Sequence, residues 1–424
     1  LECSPGIMML ARRGRSGATT PTLAAHTKQT WVSLSRSTVS RIILPYTNLG
    51  VCLMRAIVTG QVGVEKKSYL QGVVDFAGER GEDIALYNVG EMMYAEAPDI
   101  NEGQILNLPL ARLRSLRRAA MKDIIRDAEG KENVIVNTHA TFRWRHGLFA
   151  AFDFDQIKEF APDTLICLLD NIEVVHARLH QDYTSDATLK DLMVWREEEI
   201  MATELLAQAL NIPKRFYVLS RGRHEDTTET CYRLICKPQM KTVYPSFPMT
   251  HVEKLPDVKA VINEFRAKLA KHFIAFDPGD VDEKLLLDAA LDAVKEGEDF
   301  IQAEAGTFRP GQMLNVPVRQ VLDIAKDVDG QIYTRDFQMV RQSDMIVSLV
   351  PELPGGAPGL SSGVERELQH AFDHSREVYV VWHPEKNPSP FITETATKVF
   401  KTTEEAMKHF EEKGYMVQGN LFGH

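Results

Sequence analysis

Residues Thr59-Gly60-Gln61-Val62-Gly63-Val64-Glu65-Lys66-Lys67-Ser68 follow a short apolar run and open a stretch of helix-forming residues. A glycine-containing loop between a strand and a helix is where backbone N–H groups, the helix N-terminus and a lysine cradle phosphate. Gly60, Gly63 and Lys66 are residue types suited to that task. Two positions depart from it. A glycine is expected just before the lysine, and Glu65 stands there with a carboxylate that repels phosphate. A hydroxyl is expected just after the lysine to hold Mg²⁺, and Lys67 stands there, with Ser68 one residue on. Two readings follow: a phosphate site altered at working positions, or a loop kept as scaffold or nucleotide sensor.

From Met54 to about Ile235 the chain resembles the archaeal-type adenylate kinases. Gly60, Gly63 and Lys66 fall on the family's P-loop. Asn88-Val-Gly-Glu-Met-Met matches the segment after its second strand. Leu108-Pro109 with Leu113–Ile124 matches its monophosphate-binding helix, and Val134-Ile-Val-Asn-Thr-His-Ala140 matches a later strand. The resemblance implies a P-loop fold with an ATP and nucleoside-monophosphate site built from Gly60, Gly63, Lys66, Lys67, Ser68 and Arg178. The family's acid at position 137 is Asn137 here, its phosphate-gripping arginine is Leu106, and its arginine-rich lid is reduced to Arg178 and Arg196. Phosphoryl transfer depends on positioned cations, so these joint losses argue against efficient kinase chemistry.

From Thr242 to about Trp382 the chain resembles the nucleoside 2-deoxyribosyltransferases, including their nucleoside-monophosphate N-glycosidase branch. Three motifs carry this. They are Val243-Tyr244-Pro-Ser246-Phe-Pro248-Met-Thr250; Arg335-Asp336-Phe337 with Asp344-Met-Ile-Val-Ser348 eight residues on; and Leu360-Ser361-Ser362-Gly363-Val364-Glu365-Arg366-Glu367-Leu368. The resemblance implies Glu367 as the carboxylate that attacks or stabilises the anomeric carbon, and Asp336 as the group that protonates or holds the leaving base. It implies a substrate pocket at Tyr244, Ser246, Ser361, Ser362 and Gly363, the last three offering a helix N-terminus and hydroxyls to a 5′-phosphate. With the helix starting near Val364, the dipole is expected to keep Glu367 ionised. Plainer roles are open for each. Glu365 rivals Glu367, Ser361 and Ser362 suit N-caps, and Asp336 suits a cap before Phe337–Gln342.

These residues need elements to carry them. Apolar runs at Arg55–Thr59, Ile84–Asn88, Val134–Asn137, Thr164–Leu169 and Phe216–Leu219 read as strands, with helices from Lys66, over Pro109–Ala128 and over Leu189–Ala209. A polar connector, Lys237–Lys241, leads to a second series. Its strands are Val243–Phe247, Phe273–Phe276, Met345–Val350 and Val378–Trp382, and its helices Val258–His272, Val364–Asp373 and Thr403–Lys413. Pro354–Gly359 reads as a loop. The alternation predicts an α/β chain of two doubly wound parallel-sheet domains, over 54–236 and 242–424, and the two resemblances imply that the first is P-loop NTPase-like and the second Rossmann-like, deoxyribosyltransferase-like. Gly103-Gln-Ile-Leu-Asn-Leu-Pro109 is echoed by Gly311-Gln-Met-Leu-Asn-Val-Pro317, read as coincidence.

Residues 1–53 differ in composition. They hold six Lys/Arg and one acid, Glu2, as in a transit peptide or translated upstream sequence. The chain's 49 Lys/Arg and 59 Asp/Glu, less those six and one, leave 43 against 58. That acidity argues against binding to a nucleic-acid polymer. No apolar run spans a bilayer. Five cysteines without CxxC spacing suggest reduced thiols and no metal site, as in a cytoplasmic protein. The function expected is cleavage or exchange of the N-glycosidic bond of a nucleoside or its 5′-monophosphate beside a degenerate kinase-like domain. The alternatives are a non-catalytic nucleotide sensor and a nucleoside monophosphate kinase. ATP is the cofactor the P-loop would take, the glycosidic chemistry needs none, and a homo-oligomer is left open.

Overall fold

The computed structural model describes residues 54–416 apart from 102, 145–146, 183–185, 224, 250–251 and 253. The N-terminal extension, with Cys3 and Cys52, lies outside the described residues. Strands β1 (Met54–Thr59), β2 (Ile84–Asn88) and β3 (Asn133–Asn137) alternate with helices α1 (Lys66–Gly78), α2 (Val89–Ala95) and α3 (Leu110–Asp127). An antiparallel hairpin, β4 (Thr141–Trp144) with β5 (Gly147–Ala150), precedes α4 (Phe154–Phe160). Strand β6 (Thr164–Leu169), α5 (Ile172–Asp182), α6 (Leu189–Ala209), β7 (Phe216–Ser220) and α7 (Thr228–Cys236) complete this half.

The sheet order is β2-β3-β1-β6-β7, with every pair parallel. Strands β1, β3, β6 and β7 bury nearly every residue, which is why they read as continuous apolar runs. The chain order reverses beside β1, so the loop after it opens into the crevice where α/β sheets bind ligands.

The second half runs through β8 (Thr242–Ser246), α8 (Pro256–His272), β9 (Ile274–Ala275), α9 (Glu283–Glu296), the antiparallel pair β10 (Phe300–Glu304) and β11 (Met313–Pro317), α10 (Val318–Asp323) and α11 (Ala325–Gln342). It continues with β12 (Met345–Val350), a two-residue pairing of β13 (Glu352–Leu353) with β14 (Ala357–Pro358), α12 (Ser362–Asp373), β15 (Glu377–Trp382), α13 (Pro390–Thr393), β16 (Lys398–Phe400) and α14 (Thr403–Glu412). Its sheet is also parallel, ordered β16-β15-β12-β8-β9, and its order reverses beside β8.

The sheets are separate, yet apolar packing is continuous between them. One buried cluster holds Tyr217 and Leu219 of β7, Tyr244 of β8 and Val340 of α11. Tyr217 stacks on Phe276 with ring centroids 5.8 Å apart. The Gln342 amide accepts from Val218 N at 2.9 Å and donates to Val218 O at 2.8 Å, satisfying the outer edge of β7 as another strand would. The two halves thus share α11.

Several expectations change here. Asp336 lies deep inside α11, so it caps nothing. The echoed heptapeptides adopt different structures: Ile105–Asn107 is a 3-10 turn and Met313–Pro317 a strand. The Pro354–Gly359 loop carries the small β13–β14 pairing at its edges. No helix among the described residues is long and apolar enough to cross a membrane.

Candidate functional site

The loop after β1 keeps the shape its glycines imply. Gly60 has φ 145° and Gly63 φ 87°. A side chain at Gly60 would meet the Leu168 carbonyl oxygen at 2.5 Å, so close backbone approach alone requires glycine there. Glu65 adopts φ 58°, ψ 44°, the left-handed conformation that the expected glycine would take without strain.

Cations hold the loop's carbonyls from behind. Lys66 Nζ donates to Gly60 O at 2.6 Å, Arg178 Nη1 to Gly63 O at 3.0 Å, and Arg221 Nη1 to Val64 O at 2.8 Å. Val62 and Gly63 lie in a turn that engages Val64 N, and with the carbonyls drawn inward the N–H groups of Val62, Gly63 and Glu65 have no hydrogen-bond acceptor among the described residues. Such a set of open N–H groups is a nest for an anion.

Other groups restrict the site. The buried Glu199 carboxylate accepts from Gly60 N at 3.0 Å, Ala140 N at 2.7 Å and Thr141 N at 2.7 Å, tying the loop to the start of β4. His139 Nδ1 lies 3.2 Å from Lys66 Nζ, and burial holds its imidazole well below the ordinary range. Burial also pulls Lys66 down to about 8, against the opposing pull of Glu199. Lys67 is exposed and ion-paired with Glu91, while Ser68 Oγ donates to Glu65 O at 3.0 Å. Neither therefore stands ready as a Mg²⁺ ligand. Asn137 Nδ2 donates to Asn88 Oδ1 at 2.8 Å, and Leu106 packs into the core. Arg178 is wholly buried and bonded to Asp170 Oδ2 at 2.6 Å, so it braces the loop from inside.

The second site gathers on β8, α11 and α12. Tyr244 Oη donates to Glu367 Oε1 at 3.0 Å and Ser246 Oγ to Glu367 Oε2 at 2.6 Å. Asp336 is buried, with Oδ1 lacking any hydrogen bond and Arg335 Nε 3.5 Å away. Burial, reinforced by Asp336, raises Glu367 to about 7 against the two hydroxyl bonds. Burial raises Asp336 to about 6, against Arg335. Helix α12 begins at Ser362, which puts Glu367 in its second turn. The dipole fades within the first turn, and Glu367 is not held ionised as expected.

Ser361 is the N-cap, its Oγ accepting from Val364 N at 3.2 Å, while Ser362, Gly363 and Glu365 are exposed. No hydrogen bond among the described residues joins that turn to Asp336 or Tyr244. A cavity of about 840 Å³ opens nearby, lined by Phe247, Arg266, Lys284 and Arg335 among others, though by neither carboxylate.

Buried charges run between the two sites; sequence reading named Arg196 as a lid cation and Arg335 within a motif, but missed Glu283 and the pairing of both arginines with it. Arg196 of α6 donates to Glu283 Oε1 at 2.5 Å, and Arg335 donates to Glu283 Oε2 at 3.1 Å. Arg196 also meets Asp170 O at 3.5 Å, the residue that pairs with Arg178. Burial alone would raise Glu283, but the two arginines outweigh it and hold the carboxyl at about 2. Arg221, directly after an apolar strand, carried a visible signal. Glu199, Asp170 and Glu283 did not, since an acid on an amphipathic helix or after a strand is usually solvated.

Known proteins match the first half. A family profile described as an AAA domain covers residues 59–196. An adenylate kinase from Pyrococcus furiosus is 23% identical over 176 residues, 40% of this chain and 86% of that protein. Among solved structures, a gluconokinase from Sinorhizobium meliloti 1021 is 16% identical with a TM-score of 0.26, covering 40% of this chain and 82% of its own. A shikimate kinase from Bacteroides thetaiotaomicron is 13% identical with a TM-score of 0.28, covering 42% and 94%. The first half resembles P-loop kinases. The family match ends at residue 196, before the second sheet begins.

Proposed function

We propose that the first half is a nucleoside-phosphate site of the phosphotransferase type. The observation that carries this is the set of open N–H groups at Val62, Gly63 and Glu65 beside Lys66, on a loop whose carbonyls are held by cations. The family match and the adenylate kinase relative support the same reading. Binding is the part of the function these residues serve well. Phosphoryl transfer is expected to be slow, because Glu65 puts a carboxylate on the loop where a glycine is expected, Lys67 replaces a hydroxyl, and Arg178 is committed to Asp170. Calorimetry with ATP and AMP, paired with an assay for ADP formation, tests both parts. Binding abolished by Lys66→Ala supports the site. Absence of ATP and AMP binding to the intact chain would falsify it. ADP formation at ordinary kinase rates, lost in Lys66→Ala, would make the protein a nucleoside monophosphate kinase.

A second reading rests on Glu367. Its carboxylate is gripped by Tyr244 and Ser246 and lies close enough to Asp336 for that charge to raise it, an arrangement suited to attack at an anomeric carbon beside a proton-holding partner. On this reading residues 242–424 break or exchange the N-glycosidic bond of a nucleoside or its 5′-monophosphate, while 54–236 hold a nucleotide. The test is release of free base from a panel of nucleosides and monophosphates. No release from any of them sinks this reading and leaves the first one standing.

A further inference from the structure

A second cavity, of about 480 Å³, lies where the two halves meet. Phe216 opens β7 and Thr242 opens β8, and both line it, so it sits at the opposite ends of the strands from the two sites above. Its charged wall is Lys214, Arg215, Arg341 and Arg376 against Glu204 and Asp344. Asp344 is engaged elsewhere, accepting from Thr242 N at 2.9 Å and Thr242 Oγ1 at 3.1 Å.

The three arginines have no carboxylate partner among the described residues. Arg215 Nη2 donates to the neutral Thr164 Oγ1 at 2.8 Å and Arg341 Nη2 to Gln338 Oε1 at 2.5 Å. Arg376 donates to the Arg341 carbonyl, while its Nε is shut off from solvent with no acceptor. All three are half-buried. Glu204 and Asp344 share the wall, but no carboxylate among the described residues forms an ion pair with any of the three arginines, and with Lys214 the cations on the wall outnumber the acids by four to two. Like charges brought together in a partly dry cavity repel, and an occupant of opposite sign relieves that. The guanidinium fork matches the paired oxygens of carboxylate and phosphate alike, and of the two a phosphate group brings the larger charge to a cluster of three arginines.

We propose that this cavity binds a small phosphate-bearing anion held by Arg215, Arg341 and Arg376. The volume falls within the range of small-molecule pockets, roughly 300–1,000 Å³, and exceeds what orthophosphate alone would fill. Arg215 comes from the first half and Arg341 and Arg376 from the second, so an occupant ties the halves together. Arg341 also lies on α11, the helix that carries Asp336.

The test uses the full chain carrying Lys66→Ala and Glu367→Gln, which weakens the first site and stops turnover at the second; dependence of binding on Arg215 and Arg376 then separates this cavity from both. Orthophosphate, pyrophosphate and AMP are titrated separately by calorimetry at low salt. At least one is expected to bind at a single site and to weaken as salt rises. Adding Arg376→Gln or Arg215→Gln should weaken it roughly ten- to hundredfold, the scale of one charge-assisted hydrogen bond. Arg376→Lys should recover part of the loss, and exposed Lys214→Gln should weaken binding a few-fold without threatening the fold. AMP binding tenfold or more above orthophosphate identifies a nucleotide as occupant; equal affinity identifies the free anion. Failure of all three probes to bind overturns the proposal. So does binding that Lys214→Gln, Arg215→Gln and Arg376→Lys all leave unchanged.

Discussion

Glu283→Gln tests whether the two halves are joined by charge as well as by apolar packing. Glu283 is 1% exposed and lies between Arg196 of the first half and Arg335 of the second. Its carboxyl falls from 4.5 to about 2 in the folded chain. At about 1.4 kcal/mol per pKa unit, that depression is worth about 3 kcal/mol of folding stability at neutral pH. Removing one partner of a buried ion pair costs roughly 3–5 kcal/mol, because the remaining charge is stranded. The two routes agree. Since the folded value is depressed, the stabilisation is present above about pH 4.5 and is lost as pH falls toward 2. Urea denaturation of wild type and Glu283→Gln should therefore differ by about 3 kcal/mol at pH 7, and the gap should narrow below pH 4.5. A gap under about 1 kcal/mol at pH 7, or one that stays constant down to pH 3, refutes the reasoning.

Three further outcomes are expected. Glu65→Gly should tighten ATP binding and stabilise the fold by roughly 1 kcal/mol, since it removes a carboxylate from the phosphate loop and a strained left-handed residue; calorimetry and thermal melting measure both. In the proposed site Lys66 would grip phosphate as an ammonium, and burial lowers it to about 8 in the free protein, so ATP affinity should fall by up to tenfold per pH unit above about pH 8; an affinity flat from pH 7 to 10 counts against its role. In the base-release assay Asp336→Asn should slow the reaction by ~10²–10⁴-fold and Glu367→Gln at least as much, with exposed Glu365→Gln near wild type; an inactive Glu365→Gln beside a fully active Glu367→Gln would move the assignment.

Every strand of the two parallel sheets except β16 was legible because a parallel sheet buries both faces and leaves unbroken apolar runs, as at Thr164–Leu169 and Met345–Val350. Of the helices only α1, α3, α6, α8, α12 and α14 were read, and the antiparallel pairs were missed. The phosphate loop was legible because its glycines and lysine are dictated by backbone approach within ten residues of chain. The pairing of Glu367 with Tyr244 and Ser246 was accessible only through family resemblance, since more than 120 residues separate them.

Tertiary structure alone decided the rest. The helix over Ala325–Gln342 placed Asp336 in its interior and made its burial, rather than any cap, the source of its raised pKa. Arg178 looked like a lid cation and proved to be a brace, because whether a guanidinium meets a ligand or an internal carboxylate depends on what folds against it. The same holds for Glu199 behind the phosphate loop and for the Arg196–Glu283–Arg335 cluster. Local pattern specifies elements, since hydrophobic periodicity is read over a few residues. Charge pairing across more than 50 residues depends on which faces the packed core brings together, and no spacing in the chain encodes that.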